Sequence, residues 1–520
     1  MTLQGTGNIL QRIEPYLFYL VLALGLFPFF ATSTFPVSDA PAHLYNSDIV
    51  RQMLFDRNSF YTEYFAFNDM PVPNWACHAI LSILLTFLSP EGAEKCMLVL
   101  IFAGTPIAAR YAFSAIDKNK KYLSWLIIPI TYNSFSGIGF YNFSLGVGMI
   151  FFNLGFFYRH ILSERSKWWH YVLLSIFLTI TFFCHIVPLV IAYMLIGLVY
   201  LWWLQVKVGS NVKPWLSLKT LAVFVSFVPS LAFVAVYSVM MYKGVERTSF
   251  YLPAEELTDY MLSGRGFQVF GAAERPRSIL LAFFYLGIFA LSVYQFFKIR
   301  ESRLFSRFAF YVLVFLILIL LQYVCVPDGD GTGAYISLRL AIIFYMSVIL
   351  FALVTPVSAR FIILILPFVF ATHFSRLFFY QEIHVDNNRC ASHVVEQSKL
   401  VEPNSFVLPI NLDESYLHVS YSNYLARWNP AISFFNYEAS TGYFPLVWKK
   451  PAVTFLVSDC LRAFKGISQC KQMLKNRPIY YWVLGDLGKP GDEVGKLKEN
   501  LEKHCILINT SNFASLYKLR

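Results

Sequence analysis

Between Tyr16 and Phe379 one long apolar stretch follows another, and no other feature limits the fold of this chain as severely. The stretches are Tyr16–Thr32, Trp75–Leu88, Cys96–Phe113, Tyr122–Tyr158, Tyr171–Trp203, Leu221–Met241, Ile279–Phe297, Phe308–Val324, Tyr335–Val354 and Phe361–Phe379. A helix needs about 20 apolar residues to cross a bilayer, so Tyr171–Trp203 is long enough for two spans, broken at Cys184-His185-Ile186-Val187-Pro188. Tyr122–Tyr158 has a soft centre, Asn133 to Gly139, and reads as one broken or re-entrant span. The expected fold is an all-α polytopic membrane domain of about eleven transmembrane helices, residues 1–379. Composition agrees: 57% of residues are hydrophobic and 14% charged, against about 25% charged in soluble domains.

Short basic loops set the orientation. Arg159–Lys167, Lys207–Lys219, Lys298–Arg307 and Arg360 belong in the cytoplasm by the positive-inside bias. The loop after the first span, His185, and everything after Phe379 then fall outside. Lys118–Lys121 is the one basic loop that dissents. The net charge of +11 belongs to this loop asymmetry and predicts no nucleic-acid partner.

Hydrophobicity falls after Phe379, and 380–520 is long enough for a core of its own. Ser405–Ile410, Val453–Val457 and Tyr480–Leu484 read as buried strands, Glu493–His504 as an amphipathic helix, and Cys505–Asn509 and Ser515–Leu519 as strands. The pattern predicts a C-terminal extracytoplasmic α/β domain. Four cysteines lie in it: Cys390, Cys460, Cys470 and Cys505. Cys460 and Cys470 bound a short polar loop and are the expected disulfide, with four unpaired thiols as the alternative.

Polar residues at membrane depth are costly and mark candidate sites. Asp39 and His43 stand four apart in Asp39-Ala40-Pro41-Ala42-His43, where the first span leaves the bilayer. A helix started by Pro41 carries both on one face. The plain alternative is that Asp39 caps that helix and His43 faces water. His185, at the helix break, is a binding residue or a satisfied core group. Asn142 either hydrogen-bonds a sugar or mends the broken helix. Arg339, one to two turns into an apolar run on the outer side, either binds a phosphate bidentately or snorkels to lipid headgroups.

An exterior loop opening on Asp39 and His43, many irregular spans and a terminal exterior domain together resemble the C-class membrane glycosyltransferases. An acidic residue early in the first exterior loop is the catalytic feature of that family, and Asp39 matches its position. The resemblance implies a polyprenyl-phosphate sugar donor, an envelope glycan, lipid or protein acceptor, and inversion at the anomeric carbon. Asp39 and His43 would then be catalytic, and His185, Arg339 and Asn142 would bind substrate. For a second acidic residue Asp48, Asp56 and Asp69 are candidates. Cofactor use stays open, with a divalent cation as the candidate.

The expected function is glycosyl transfer from a lipid-phosphate donor on the outer face of the inner membrane, amid membrane lipids. A transporter or lipid flippase would also use intramembrane polar residues and broken helices. A non-catalytic envelope-assembly protein, with the soluble domain as docking module, is the third reading.

Overall fold

The computed structural model describes residues 3–56, 58–208, 217–242, 248–298, 303–329, 333–427 and 430–520. Two of the basic loops used for orientation, Lys207–Lys219 and Lys298–Arg307, lie partly outside the described residues. The chain forms two compact units. The first comprises Met1–Pro28, Val99–Gly137 and Tyr141–Tyr380; the second comprises Phe29–Leu98, Ile138–Phe140 and Gln381–Arg520. The 380–520 stretch expected as a separate domain thus enters the second unit together with the first polar loop.

Among the described residues seven helices are long and apolar enough to cross a membrane. They are Pro90–Ile116, Ile186–Lys207, Leu218–Met241, Ala272–Lys298, Arg307–Cys325, Ile336–Val354 and Ala359–Ser398. Of the four expected spans not among these, Tyr16–Thr32 begins in the helix Leu3–Gly25, and the absence of the other three has local causes. Within Trp75–Leu88 the helix runs only Ala76–Leu84, about 14 Å at 1.5 Å per residue, too short for a bilayer core of about 30 Å. Tyr122–Tyr158 is broken as its soft centre predicts, into short helical pieces followed by Tyr141–Phe156. Tyr171–Trp203 divides at His185 as expected, into Trp168–Cys184 and Ile186–Val208, and the first of these has only 17 residues. Pro188, three residues past the break, suits the first turn of the second helix, where no amide donor is needed.

Within the first unit, Ile336–Val354 is apolar almost throughout and is enclosed by protein along nearly its whole length. A helix hydrophobic on every face belongs in such a place. Arg339 therefore sits inside the protein instead of facing lipid headgroups.

The second unit is α/β. Its strands are β1 (Phe65–Phe67), β2 (Ser405–Asn411), β3 (Ala431–Ser433), β4 (Leu446–Trp448), β5 (Ile479–Leu484), β6 (Cys505–Thr510) and β7 (Ala514–Leu519). Five form one sheet in the order β3-β2-β5-β7-β6. β2 pairs in parallel with both β3 and β5, while β7 runs antiparallel to β5 and β6. β5, Ile-Tyr-Tyr-Trp-Val-Leu, is buried at all six positions, which explains its unbroken apolar run: a central strand is covered on both faces. Trp482 is fully buried and its indole N–H donates to Gln397 Oε1 at 2.7 Å. β1 and β4 form a separate antiparallel pair, Phe65 opposite Trp448.

Two expectations are corrected here. Val453–Val457 is helical, inside Pro451–Arg462; a short apolar run fits a buried strand and a helix face equally well, and Pro451 at the helix start decides the matter. Cys460 and Cys470 are separate thiols in successive helices.

Candidate functional site

Pro41 starts the helix Ala40–Phe55, whose residues from Ala40 to Val50 are all buried. Five of those residues, His43, Tyr45, Asn46, Ser47 and Asp48, carry polar or ionisable groups, so the helix demands polar partners inside the unit. Much of that demand is met by the segment 431–438. Tyr45 OH donates to Ala431 O at 2.8 Å and accepts from Ser433 N at 3.0 Å. Asn46 and Asn436 exchange amide hydrogen bonds of 3.1 and 2.7 Å. One turn toward the helix start, His43 meets Glu438.

Glu438 is fully buried and divides its carboxylate between two histidines. Oε1 lies 2.6 Å from His43 Nδ1, and Oε2 lies 2.7 Å from His78 Nε2. The opposite nitrogen of each ring reaches a backbone carbonyl: His43 Nε2 to Gly139 O and His78 Nδ1 to Asn74 O, both at 3.0 Å. The two rings stand edge to face with centroids 5.3 Å apart, and the Phe444 ring lies 5.8 Å from His78 and 6.3 Å from His43. The candidate ligand atoms of His43, His78 and Glu438 all lie within 4.8 Å of one another, so these three residues can hold a metal ion.

Electrostatics follow from burial against pairing. Burial works to raise the Glu438 carboxyl, but His78 and His43 overcome it and hold it at about 2. Burial works to lower the His43 imidazolium, and Glu438, with smaller help from Asp39, holds it above its ordinary value.

Asp39 occupies the N-cap position of the helix but makes no side-chain capping bond. Tyr437 and Ser38 lie beside its carboxylate and work to hold its pKa down. It keeps a partial opening to the surface, yet protein crowds it closely enough that desolvation raises its pKa to about 6 despite His43 nearby. Such a carboxylate is mostly ionised at pH 7 and a better proton acceptor than an ordinary aspartate.

Gly139 makes this arrangement accessible. Its φ of +104° lies outside the range comfortable for other residues, and a Cβ there would meet Ala40 N at 3.0 Å and Asp39 N at 3.2 Å. Only glycine lets the 138–140 segment press against the helix start, where Asp39 N donates to Ile138 O.

The expected substrate-binding residues His185, Arg339 and Asn142 fall in the first unit. Arg339 donates from Nη1 to His185 Nε2 at 2.9 Å, and Val187 N donates to His185 Nδ1 at 3.1 Å. The guanidinium lies 5.2 Å from the Phe135 ring and 5.3 Å from the Phe143 ring. Those aromatic faces offset part of the cost of burying the charge. Asn142 is buried in the first turn of Tyr141–Phe156. Asp48 is committed locally, to Arg51 at 2.6 Å and Gln52 at 2.8 Å.

Sequence reasoning missed His78, Glu438 and Tyr437. His78 carried a usable signal, since a histidine within an apolar stretch is itself unusual. Glu438 carried none: its partners lie 395 and 360 residues earlier in the chain.

No family model matches this chain, and no curated protein matches it. Among solved structures it is similar to the crystal structure of ArnT from Cupriavidus metallidurans in the apo state, at 11% sequence identity and a TM-score of 0.43, with 99% of this chain and 98% of that chain covered.

Replacing Gly139 tests the local geometry. Gly139→Ala should cost about 1–3 kcal/mol through backbone strain and close contact with the helix start. The check is the thermal midpoint of the full-length protein in detergent. A midpoint equal to that of the parent would contradict this role for Gly139.

Proposed function

We propose that the protein transfers a glycosyl unit from a lipid-phosphate-linked sugar to a cell-envelope acceptor. The observation that carries this reading is Asp39, a carboxylate without a capping duty at the head of a buried helix, raised to about 6 by desolvation. In the proposed reaction Asp39 takes the proton of an acceptor hydroxyl as that oxygen attacks the anomeric carbon. The bond from the anomeric carbon to phosphate oxygen breaks, and the lipid phosphate leaves with its electron pair. Inversion follows from a single displacement. Support also comes from the architecture, in which seven candidate spans among the described residues accompany an α/β unit built partly from the chain's last 140 residues.

His43 is the proposed electrostatic partner of Asp39, four residues along the same helix. For the donor phosphate we propose Arg339, held by His185, because a planar guanidinium matches phosphate oxygens bidentately. Asn142 is proposed as a sugar contact. The protein is proposed to reside in the inner membrane with the second unit outside. A periplasm-active reporter fused after Arg520 should then be active, and one inserted at Arg165 inactive; the reverse pattern would overturn this orientation.

Two substitutions separate the proposed roles. Asp39→Asn keeps size and hydrogen bonding but loses proton-accepting power, so transfer should fall by about 10²–10⁴-fold while the melting midpoint stays near that of the parent. Arg339→Lys keeps the charge and loses the fork, so KM for the donor should rise by a larger factor than kcat falls. A normally folded Asp39→Asn protein that transfers at the parental rate would reject Asp39 as the base.

A further inference from the structure

We propose that His43, His78 and Glu438 form a site for a divalent first-row transition metal of the zinc class, with His43 Nδ1, His78 Nε2 and the Glu438 carboxylate as ligands. The argument begins with a count of protons. All four ring nitrogens of the two histidines lie within 3.0 Å of an acceptor oxygen: Gly139 O, Asn74 O and the two oxygens of Glu438. Two neutral imidazoles carry only one N–H each. If those protons go to the backbone carbonyls, two bare nitrogen lone pairs face a carboxylate at 2.6 and 2.7 Å. Acceptor facing acceptor at that range is repulsive, so positive charge has to enter the cluster.

It can enter as two extra protons or as one cation. Two extra protons make two imidazolium rings with centroids 5.3 Å apart, His43 only 3% exposed and His78 not at all. Like charges that close and that dry repel strongly and lose their hydration, and the single Glu438 carboxylate offsets only one of them. A divalent ion brings the same charge to a point between the lone pairs and leaves each ring neutral. The four contacts then sort themselves: two N–H groups to carbonyls, two nitrogens and one carboxylate to the ion.

The surroundings are those of a ligand set. Metal-binding histidines characteristically donate their second ring N–H to a carbonyl or carboxylate, which fixes ring and tautomer. Here both rings do so, and both carbonyls come from residues with left-handed backbone, Asn74 at φ +68° and Gly139 at φ +104°. Such conformations are costly and persist where the surrounding structure enforces them. Two nitrogens and a carboxylate suit zinc, whereas calcium and magnesium take oxygen ligands. Contacts of 2.6 and 2.7 Å would open by about 0.6 Å to the roughly 3.3 Å between ligands of a tetrahedral zinc ion. Three protein ligands leave a fourth position for water or a substrate oxygen. The ligands come from three elements, Ala40–Phe55, Ala76–Leu84 and Tyr437–Thr441. An ion here would therefore also fasten the first polar loop to the C-terminal stretch.

Metal binding does not depend on glycosyl transfer and is tested without it. Full-length protein in detergent is stripped with a chelator, then incubated with Zn²⁺, Co²⁺ or Mg²⁺. Bound metal is counted by mass spectrometry, the melting midpoint is recorded, and Co²⁺ loading is followed by visible absorption. About one Zn²⁺ or Co²⁺ per chain is expected, with a higher midpoint, tetrahedral Co²⁺ bands and no response to Mg²⁺. Glu438→Gln and His78→Gln should each lower stoichiometry to below about one tenth. Should either variant fail to fold, the Co²⁺ spectrum of the parent decides. Folded parent protein that takes up no Zn²⁺ or Co²⁺ would overturn the proposal, as would a folded Glu438→Gln variant that keeps full stoichiometry.

Discussion

The carboxylate of Glu438, divided between His43 and His78, is the contact on which the second unit's site depends. Each partner is there because another polar group needs it. The helix Ala40–Phe55 is buried through its first eleven residues although it carries His43, Asn46, Ser47 and Asp48. A buried polar group without a partner costs about 1–3 kcal/mol, so this helix is stable only where partners are supplied. The segment 431–438 supplies them through Ala431, Ser433, Asn436 and Glu438. The same contacts leave Asp39 at the helix head crowded by protein, and that desolvation raises its carboxyl although Tyr437 works against it. Packing, charge and candidate chemistry thus share one origin.

Removing one partner from such a cluster differs from never having built it. Loss of Glu438 would leave two buried imidazoles facing each other without a counter-charge, the situation in which a broken buried pair costs several kcal/mol. The first unit solves a similar problem with other means. Arg339 sits inside protein on Ile336–Val354, faced by two phenylalanine rings and bonded to a histidine. His185 has a donor facing each of its nitrogens, of which a neutral ring can accept one, whereas His43 and His78 have an oxygen acceptor facing each of theirs. The same residue type therefore does opposite electrostatic work in the two units.

The sequence announced the helical membrane class, the break at His185, the soft centre before Tyr141 and most strands of the C-terminal sheet. Each rests on local information: apolar length, proline and glycine placement, or short apolar runs. The Val453–Val457 helix was misread because its apolar run is too short to separate the two periods. The extent of the second unit was not legible at all. Its first polar loop joins residues more than 350 positions away, and the residues that make the join, Tyr45, Asn46 and Glu438, are ordinary in their local sequence. Asp39 and His43 could be singled out from where they stand along the chain. His78 was hidden inside a stretch read as a span, and a nine-residue helix became evident only once its neighbours were in place.

The most direct measurement is a transfer assay on the purified full-length protein with a panel of polyprenyl-phosphate sugars, scoring both sugar transfer and release of the lipid phosphate. The account predicts that at least one donor is consumed, with lipid phosphate released in step with sugar transferred and inversion at the anomeric carbon. Folded protein that binds such donors but breaks no bond between sugar and phosphate, whatever acceptor is supplied, would contradict it.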